Sequence, residues 1–350
     1  MALQDLATNL SAALSQVYAP KVVRAFNRIS ILAAALPKTA GRGKNVAWDV
    51  YVSGNTAGTF VDGSDVTTYD VDTPLAATLS WGLYRQSFQI SGLAQAVAAT
   101  SIGSADELMA LIDTSAANSA MKLASTINAD LFTGSGANAI TGLSTALTNT
   151  GVYATINKGT YTEWQGNVFA NSGVSRNLTK DLMDQLEAGI YGASSLTPDC
   201  IVASPGVVRK YESLFDQMNR VILSGGEIST VQRSVGGGGA VIPDSAGWTG
   251  LTYKGIPVYR DRNCPVGTMY MLNRDTIQLQ YMPQPGVNTA AISQDKAMSG
   301  LPDTNMAGLS ARLEAMAKTG DADKFSMKIY LQLAVLRPNA NGILQDLTEV

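Results

Sequence analysis

The spacing of apolar positions changes several times along this chain, and each change marks an element. Leu3, Leu6, Leu10, Ala13 and Val17 recur every three or four residues. That places one apolar stripe on a short helix ended by Pro20, and such a stripe needs a surface to pack against. Val46 to Val52 and Ala76 to Ile90 are predicted strands, and the stretch between them is broken by Gly54, Gly58, Gly63 and Pro74. Together they predict a long hairpin with an extended, weakly packed tip, a shape that needs a partner to hold it. Ser104-Ala-Asp-Glu107 is a capping box, in which the Ser hydroxyl and the Glu carboxylate satisfy the first backbone amides of a helix. Leu108, Leu111, Ile112, Ala116, Ala120, Leu123, Ile127 and Leu131 then keep helical spacing, with no Gly or Pro before Gly134. Residues 105 to 131 therefore predict a rod of about 40 Å. Many of its positions are small, so neighbours can approach closely.

A Gly- and Thr-rich connection, 134 to 162, leads to a second helix over Leu178 to Ile190 and a short buried strand over Asp199 to Ala203. Pro205 fits the first turn of a third helix, Gly206 to Arg220, because its missing amide is unbonded there anyway. Residues 223 to 250 contain Gly236 to Gly239 and read as a mobile surface loop. Ile256 to Arg260, Thr268 to Leu272 and Thr276 to Tyr281 read as strands. Leu309 to Ala317 and Phe325 to Leu336, joined by Thr319-Gly320-Asp321, read as a long antiparallel hairpin. The fold class is α+β, with helices packed around a small sheet. No fixed-period repeat is visible.

With 350 residues, 45% hydrophobic and 15% charged, the chain has ample material for a buried core. Its length suggests two or three compact units, since single cores stop growing at roughly 250 to 300 residues. Ile29 to Leu36, the longest strongly apolar run, is far below the ~20 residues that span a bilayer. No Lys or Arg precedes Lys21, so the basic n-region of a signal peptide is missing, and the Asn-Leu-Ser and Asn-Leu-Thr sequons at Asn9 and Asn177 are coincidental. Cys200 and Cys264 are too few for a disulfide framework and read as reduced, packed thiols. The most informative count is zero histidines. It removes Ser-His-Asp and Cys-His catalysis and the HExxH zinc sites, and no cofactor or metal is expected.

Other patterns are weak. Gly134-Ser-Gly136-Ala-Asn-Ala139 matches a relaxed dinucleotide fingerprint, but it follows a helix instead of opening one, so it reads as a helix C-terminal turn. The glycines at 236 to 239 lack the Lys-Ser/Thr of a phosphate loop. Asp181 with Asp184, and Asp321 with Asp323, read as solvated charge.

Charge is partitioned, although the net value is only -3 and predicts no general affinity for nucleic acid. Residues 1 to 44 hold Lys21, Arg24, Arg28, Lys38, Arg42 and Lys44 against Asp5, a net +5. Residues 45 to 75 hold Asp49, Asp62, Asp65, Asp70 and Asp72 with no Lys or Arg, a net -5. Asp62, Asp65, Asp70 and Asp72 are thereby candidate inter-subunit contacts, with Arg24, Arg28 and Lys38 of another copy as partners. The basic segment could equally be a solvated helix face or an arm meeting acidic protein or packaged DNA.

The order of elements (an N-terminal arm, a polar-tipped hairpin, a capped long helix, an α/β insertion and a closing hairpin) resembles the major capsid proteins of tailed bacteriophages with the Hong Kong 97-type fold. Thr160-Tyr-Thr-Glu-Trp-Gln-Gly-Asn167, Asp199-Cys-Ile-Val-Ala-Ser-Pro205 with Arg209-Lys-Tyr-Glu212, and Tyr253-Lys-Gly-Ile-Pro-Val-Tyr-Arg-Asp261 are similar to phrases of phage coat proteins. The resemblance implies an N-arm over 1–44, an E-loop hairpin over 45–91 and a peripheral domain over 92–169 with a spine helix at 104–131. An axial domain over 170–305 and peripheral return strands over 306–350 complete the chain. It further implies a non-enzymatic shell subunit, assembled in the host cytoplasm through hexamers and pentamers into an icosahedral head around double-stranded DNA. A portal, a decoration protein and a scaffolding protein are the implied partners. The scaffolding protein is expected to be separate, or else a very short built-in segment, because the arm begins almost at Met1. Some members join an E-loop Lys to an Asn of a neighbour; residues 45 to 75 contain no Lys, so no such crosslink is expected here. Two other readings are an encapsulin-type compartment shell of the same fold and a nucleotide-using α/β enzyme built on the Gly-rich loops.

Overall fold

The computed structural model describes residues 31–51, 59, 61–63, 74–93, 95–96, 104–219, 251–283, 311–316 and 320–349. The expected helix at 3–17 and the loop at 223–250 lie outside them.

A short helix, α1 (Ile31–Ala35), leads into strands β1 (Lys38–Ala40) and β2 (Asn45–Val50). The expected single strand over Ala76 to Ile90 is two strands, β3 (Leu75–Ser80) and β4 (Gly82–Ser91). β3 pairs antiparallel with β2, whereas β4 pairs with β14 (Ala322–Val335). The chain thus changes sheets at Trp81, which turns its side chain inward and is 6% exposed.

The long helix α2 runs Ser104–Thr133, 30 residues or about 45 Å. Ala116, Ala120, Leu123, Ala124, Ile127 and Leu131 form its buried stripe, and it packs on β4. Half of that stripe is alanine, which lets helix and sheet approach closely. Gly134 ends the helix: its amide returns to Asp130 O at 2.9 Å, and an added Cβ would lie 2.1 Å from Ile140 O. Gly136 follows in the left-handed region, φ +80°. The Gly-rich phrase is therefore a helix stop, as its position implies.

β14 organises the first sheet. Leu331 stands opposite both Gly82 and Tyr281, so β4 lines one side of β14. On the other side β12 (Ile277–Tyr281) and then β13 (Ala311–Met316) follow one another. β1 adds in parallel outside β12.

The expected connection 134–162 contains a helical turn, α3 (Leu143–Ala146), and a small hairpin, β5 (Val152–Tyr153) with β6 (Ile156–Asn157). Then come β7 (Asn167–Phe169), α4 (Lys180–Ser194), β8 (Cys200–Ala203) and α5 (Pro205–Asn219). The Thr179 hydroxyl caps α4 by accepting from Leu182 N, and α5 starts at its proline. β9 (Thr252–Tyr253), β10 (Ile256–Arg260), β11 (Met269–Leu272) and β15 (Gly342–Leu344) complete a second sheet in the order β7-β15-β11-β8-β10-β9. Gly342–Leu344, in the segment expected to return to the peripheral part, is hydrogen-bonded between β7 and β11 of this sheet.

The second sheet divides two cores by strand alternation. Cys200, Val202, Tyr270, Leu272 and Ile343 face the core shared with α2 and β14. Ile201, Ala203, Met269, Met271 and Leu344 face the core under α4 and α5. Both cysteines are free and buried.

Candidate assembly interface

The β2–β3 ribbon flanks the acidic segment in the chain, so how it is rooted decides what it can do. A two-stranded ribbon alone is marginal in water. Its base is held by three buried side chains. Trp81 donates its indole N–H to Gly43 O at 3.1 Å, and a Cβ on Gly41 would sit 2.3 Å from the indole ring. The Tyr84 hydroxyl donates to Asp130 Oδ2 at 2.7 Å and accepts from the Ile140 amide at 2.9 Å. Burial, with the Asp130 carboxylate adding to it, holds that hydroxyl above the usual tyrosine range. Gln332, fully buried, accepts from Thr141 N and Leu333 N and donates to Ser80 O at 2.6 Å. Root, spine helix and β14 are thus one hydrogen-bonded body.

Beyond the root the surface changes. Tyr51 and Val61 are 69% and 77% exposed, and Asp62 is exposed in the turn before Gly63, whose φ is +82°. Apolar side chains beside a carboxylate suit burial against a partner more than open solvent. Of the basic candidates, Lys38 lies on the outer strand β1 opposite Leu279. It is half-buried, and desolvation lowers its ammonium to about 7. Arg24, Arg28, Asp65, Asp70 and Asp72 lie outside the described residues.

The arm's attachment is also built. Leu32, Ala33 and Leu36 are fully buried. Beside α1 lies Asp261, 2% exposed, whose Oδ1 accepts from Asn128 Nδ2 and Asn263 N, both at 2.9 Å. Burial raises its pKa, and the amides of Asn263, Ile31 and Leu32 together with the Asn128 side chain oppose the rise.

Two polar clusters escaped the sequence reading. Lys158, fully buried, points its Nζ at the carbonyls of Thr145, Ala146 and Thr148 and at the Thr148 hydroxyl, at 2.8 to 3.0 Å. Asp184, expected to be solvated charge, instead joins Lys180 at 2.9 Å, Lys254 at 2.8 Å and the Tyr253 hydroxyl. Those partners, Lys254 first, hold its carboxyl below the usual carboxylate range. The turn Lys254-Gly255, both at positive φ, is thereby pinned to α4. Its only sequence signal was the Lys-Gly pair. Among the described residues no group of acidic or cysteine side chains is placed to hold a metal, and no helix is long and apolar enough to cross a membrane.

This architecture is the Hong Kong 97-type shell fold. The chain is similar to the cyanophage A-1(L) capsid subunit, with a TM-score of 0.64 at 20% identity, covering 91% of this chain and 92% of that one. It is also similar to the capsid of a native GTA particle (TM-score 0.53, 10% identity, 90% and 91% covered) and to a chain of Mycobacterium phage Adephagia (0.51, 9%, 90% and 89%). At such identities these likenesses establish the fold. No match is found among curated proteins. Residues 48–348 match the family described as SU10 major capsid protein, and the chain belongs to that family. It is a major capsid protein, a structural component of a phage shell built from repeated subunits.

Proposed function

We propose that this chain assembles, without catalysing any reaction, through hexamers and pentamers into an icosahedral head that encloses double-stranded DNA. The family match across 48–348 carries the reading, and the rooted ribbon supports it. In this reading 1–44 is the N-arm, 45–91 the E-loop, 92–169 the peripheral domain with the spine helix, 170–305 the axial domain and 306–350 the peripheral return. Assembly takes place in the host cytoplasm with the help of a scaffolding protein, with a portal at one vertex and a decoration protein outside. DNA is contacted without sequence preference.

The candidate contacts keep their assignment. Asp62, Asp65, Asp70 and Asp72 of one E-loop face Arg24, Arg28 and Lys38 of a neighbour. Cryo-electron microscopy of particles purified from an infected host, with their contents identified, tests the proposal. Six- and five-fold capsomers of this chain around DNA are expected. Particles filled with protein cargo and no DNA, or heads lacking this chain, would overturn it.

A further inference from the structure

The β5–β6 hairpin is anchored at its base and touches the E-loop ribbon at its tip. Next to its turn, Tyr153 is buried, accepts from Val335 N through its hydroxyl at 2.9 Å and stacks on Trp164 with ring centroids 6.0 Å apart. Trp164 Nε1 donates to Tyr153 O at 3.2 Å, and the Lys158 amide donates to Gly151 O at 2.9 Å. The buried Lys158 ammonium ties this base to the end of α3. At the tip, Ala154 and Thr155 both adopt positive φ, +49° and +68°. Two such residues make the tight hairpin turn that Asn and Gly usually supply, and a β-branched residue there is strained.

That turn lies against the outer edge of β3. The Thr78 amide donates to Ala154 O at 3.0 Å, the Thr155 hydroxyl reaches Ala76 O at 3.3 Å, and the Thr78 and Thr155 hydroxyls are 3.4 Å apart. The ribbon is therefore held by its own buried face at Val46, Ala77 and Leu79, by the root at Trp81, and by a strut contact in which the buried Ala154 accepts one backbone bond and two threonine hydroxyls meet at the surface.

We propose that the β5–β6 hairpin is a strut that fixes the direction in which the E-loop ribbon leaves the body, with Trp81 as pivot and the Ala154–Thr155 turn as a releasable latch. The root is buried and bonded through three side chains, whereas the two threonine hydroxyls of the strut contact lie at the surface. The strut contact is the first to yield, and the ribbon then swings about the point where β3 becomes β4. The inference rests on the ribbon being an assembly arm, yet its test does not need a shell.

The test places spin labels on the full-length subunit at Asp62→Cys and Lys122→Cys, both exposed, while the native cysteines are buried. Distance distributions are compared between the otherwise unchanged chain and two variants, Thr155→Gly and Thr78→Val. The second leaves the hairpin itself untouched. Both variants should broaden the distribution. Both should also speed amide exchange in 75–80 by about fivefold, the worth of one net hydrogen bond, while amides of β14 stay unchanged. Unchanged width and exchange in both variants would overturn the strut, as would exchange rising equally throughout the body. Assembly of normal heads by a variant whose ribbon is loosened would count against the proposed role of the ribbon, not against the strut.

Discussion

Replacing Lys158 by Met asks whether a buried ammonium can serve as a structural cap. The substitution keeps the apolar stem and removes four polar contacts. Their loss is unequal. Thr145 O still accepts from the Thr148 hydroxyl at 3.0 Å, and Thr148 O still accepts from the Gly166 amide at 3.1 Å. Ala146 O loses the donor that Lys158 supplied at 2.8 Å. Leaving one buried carbonyl without a donor costs ~1–3 kcal/mol. The ammonium also lies 5.5 Å from the Tyr153 ring centroid, a contact that adds ~0.5–2 kcal/mol when desolvated. Against these stands relief of the cost of burying a charge. The expected balance is a loss of about 2–4 kcal/mol, read by urea unfolding of dispersed subunits through tryptophan fluorescence.

The pH dependence supplies a second check on the same variant. Burial lowers the Lys158 pKa from 10.5 to about 8, so the folded state binds fewer protons than the unfolded state between those values. Stability of the parent should therefore rise with pH across that window, and the Met variant should lose this slope. A loss below about 1 kcal/mol at neutral pH, or an unchanged slope, would show that the ammonium is tolerated there and is not a cap.

Tyr84→Phe leaves Ile140 N and Asp130 without the hydroxyl that joins them and should cost ~1–3 kcal/mol, measured by the same unfolding assay, with β4 exchanging faster. Because burial raises the Asp261 pKa, its contribution is fullest below about pH 4 and declines as pH rises through the folded value. Relative to the parent, Asp261→Asn should therefore gain stability from acid to neutral pH; a constant difference across that range would refute the assignment. Particles boiled in detergent should release single chains near 36.7 kDa, and a ladder of oligomers would disprove the expectation of no covalent lattice. Changing Asp62, Asp65, Asp70 and Asp72 together to Asn should slow assembly and flatten its salt dependence, each exposed pair being worth ~0.2–1 kcal/mol but repeated in every subunit. Identical kinetics and salt response would leave packing as the holder of the E-loop.

Elements that carry their own signal were legible before any coordinates. The Ser104 to Glu107 phrase falls at the start of α2 and a glycine follows its end, and the expected stop at 131 falls two residues short of Thr133. Pro205 opens α5 as expected. What could not be read is set by distant partners. Nothing local in Leu79-Ser-Trp-Gly-Leu83 announces that the strand changes sheets, because the break is imposed by Gly43, Asp130 and Gln332. The β5–β6 hairpin was missed since its turn is Ala-Thr, not Asn-Gly. β15, three residues long, carries no periodicity, and its place comes from β7 and β11. The acidic ribbon stood out by charge alone, whereas Lys158 gave no sign, since one charge in a sequence looks the same buried or exposed, and Asp184 was read without Lys254, a partner 70 residues away in the chain.

The position of β15 has a consequence in time. Asn167–Phe169 finds its neighbour only when Gly342–Leu344 has been made. At roughly 5–20 residues per second of synthesis, that is on the order of ten to thirty seconds after β7 itself emerges. Until then β7 and β11 stand as two open edges with a gap between them, and the carboxylate of Glu349 has not yet reached Ser204 and the Gly267 amide at the start of α5. A nascent chain therefore spends much of its synthesis with half a sheet, the state in which strand edges recruit wrong partners. Chains cut short before β15 cannot close that sheet. Without Gly342–Leu344, both β7 and β11 keep an unpaired edge, and such edges invite pairing with other chains.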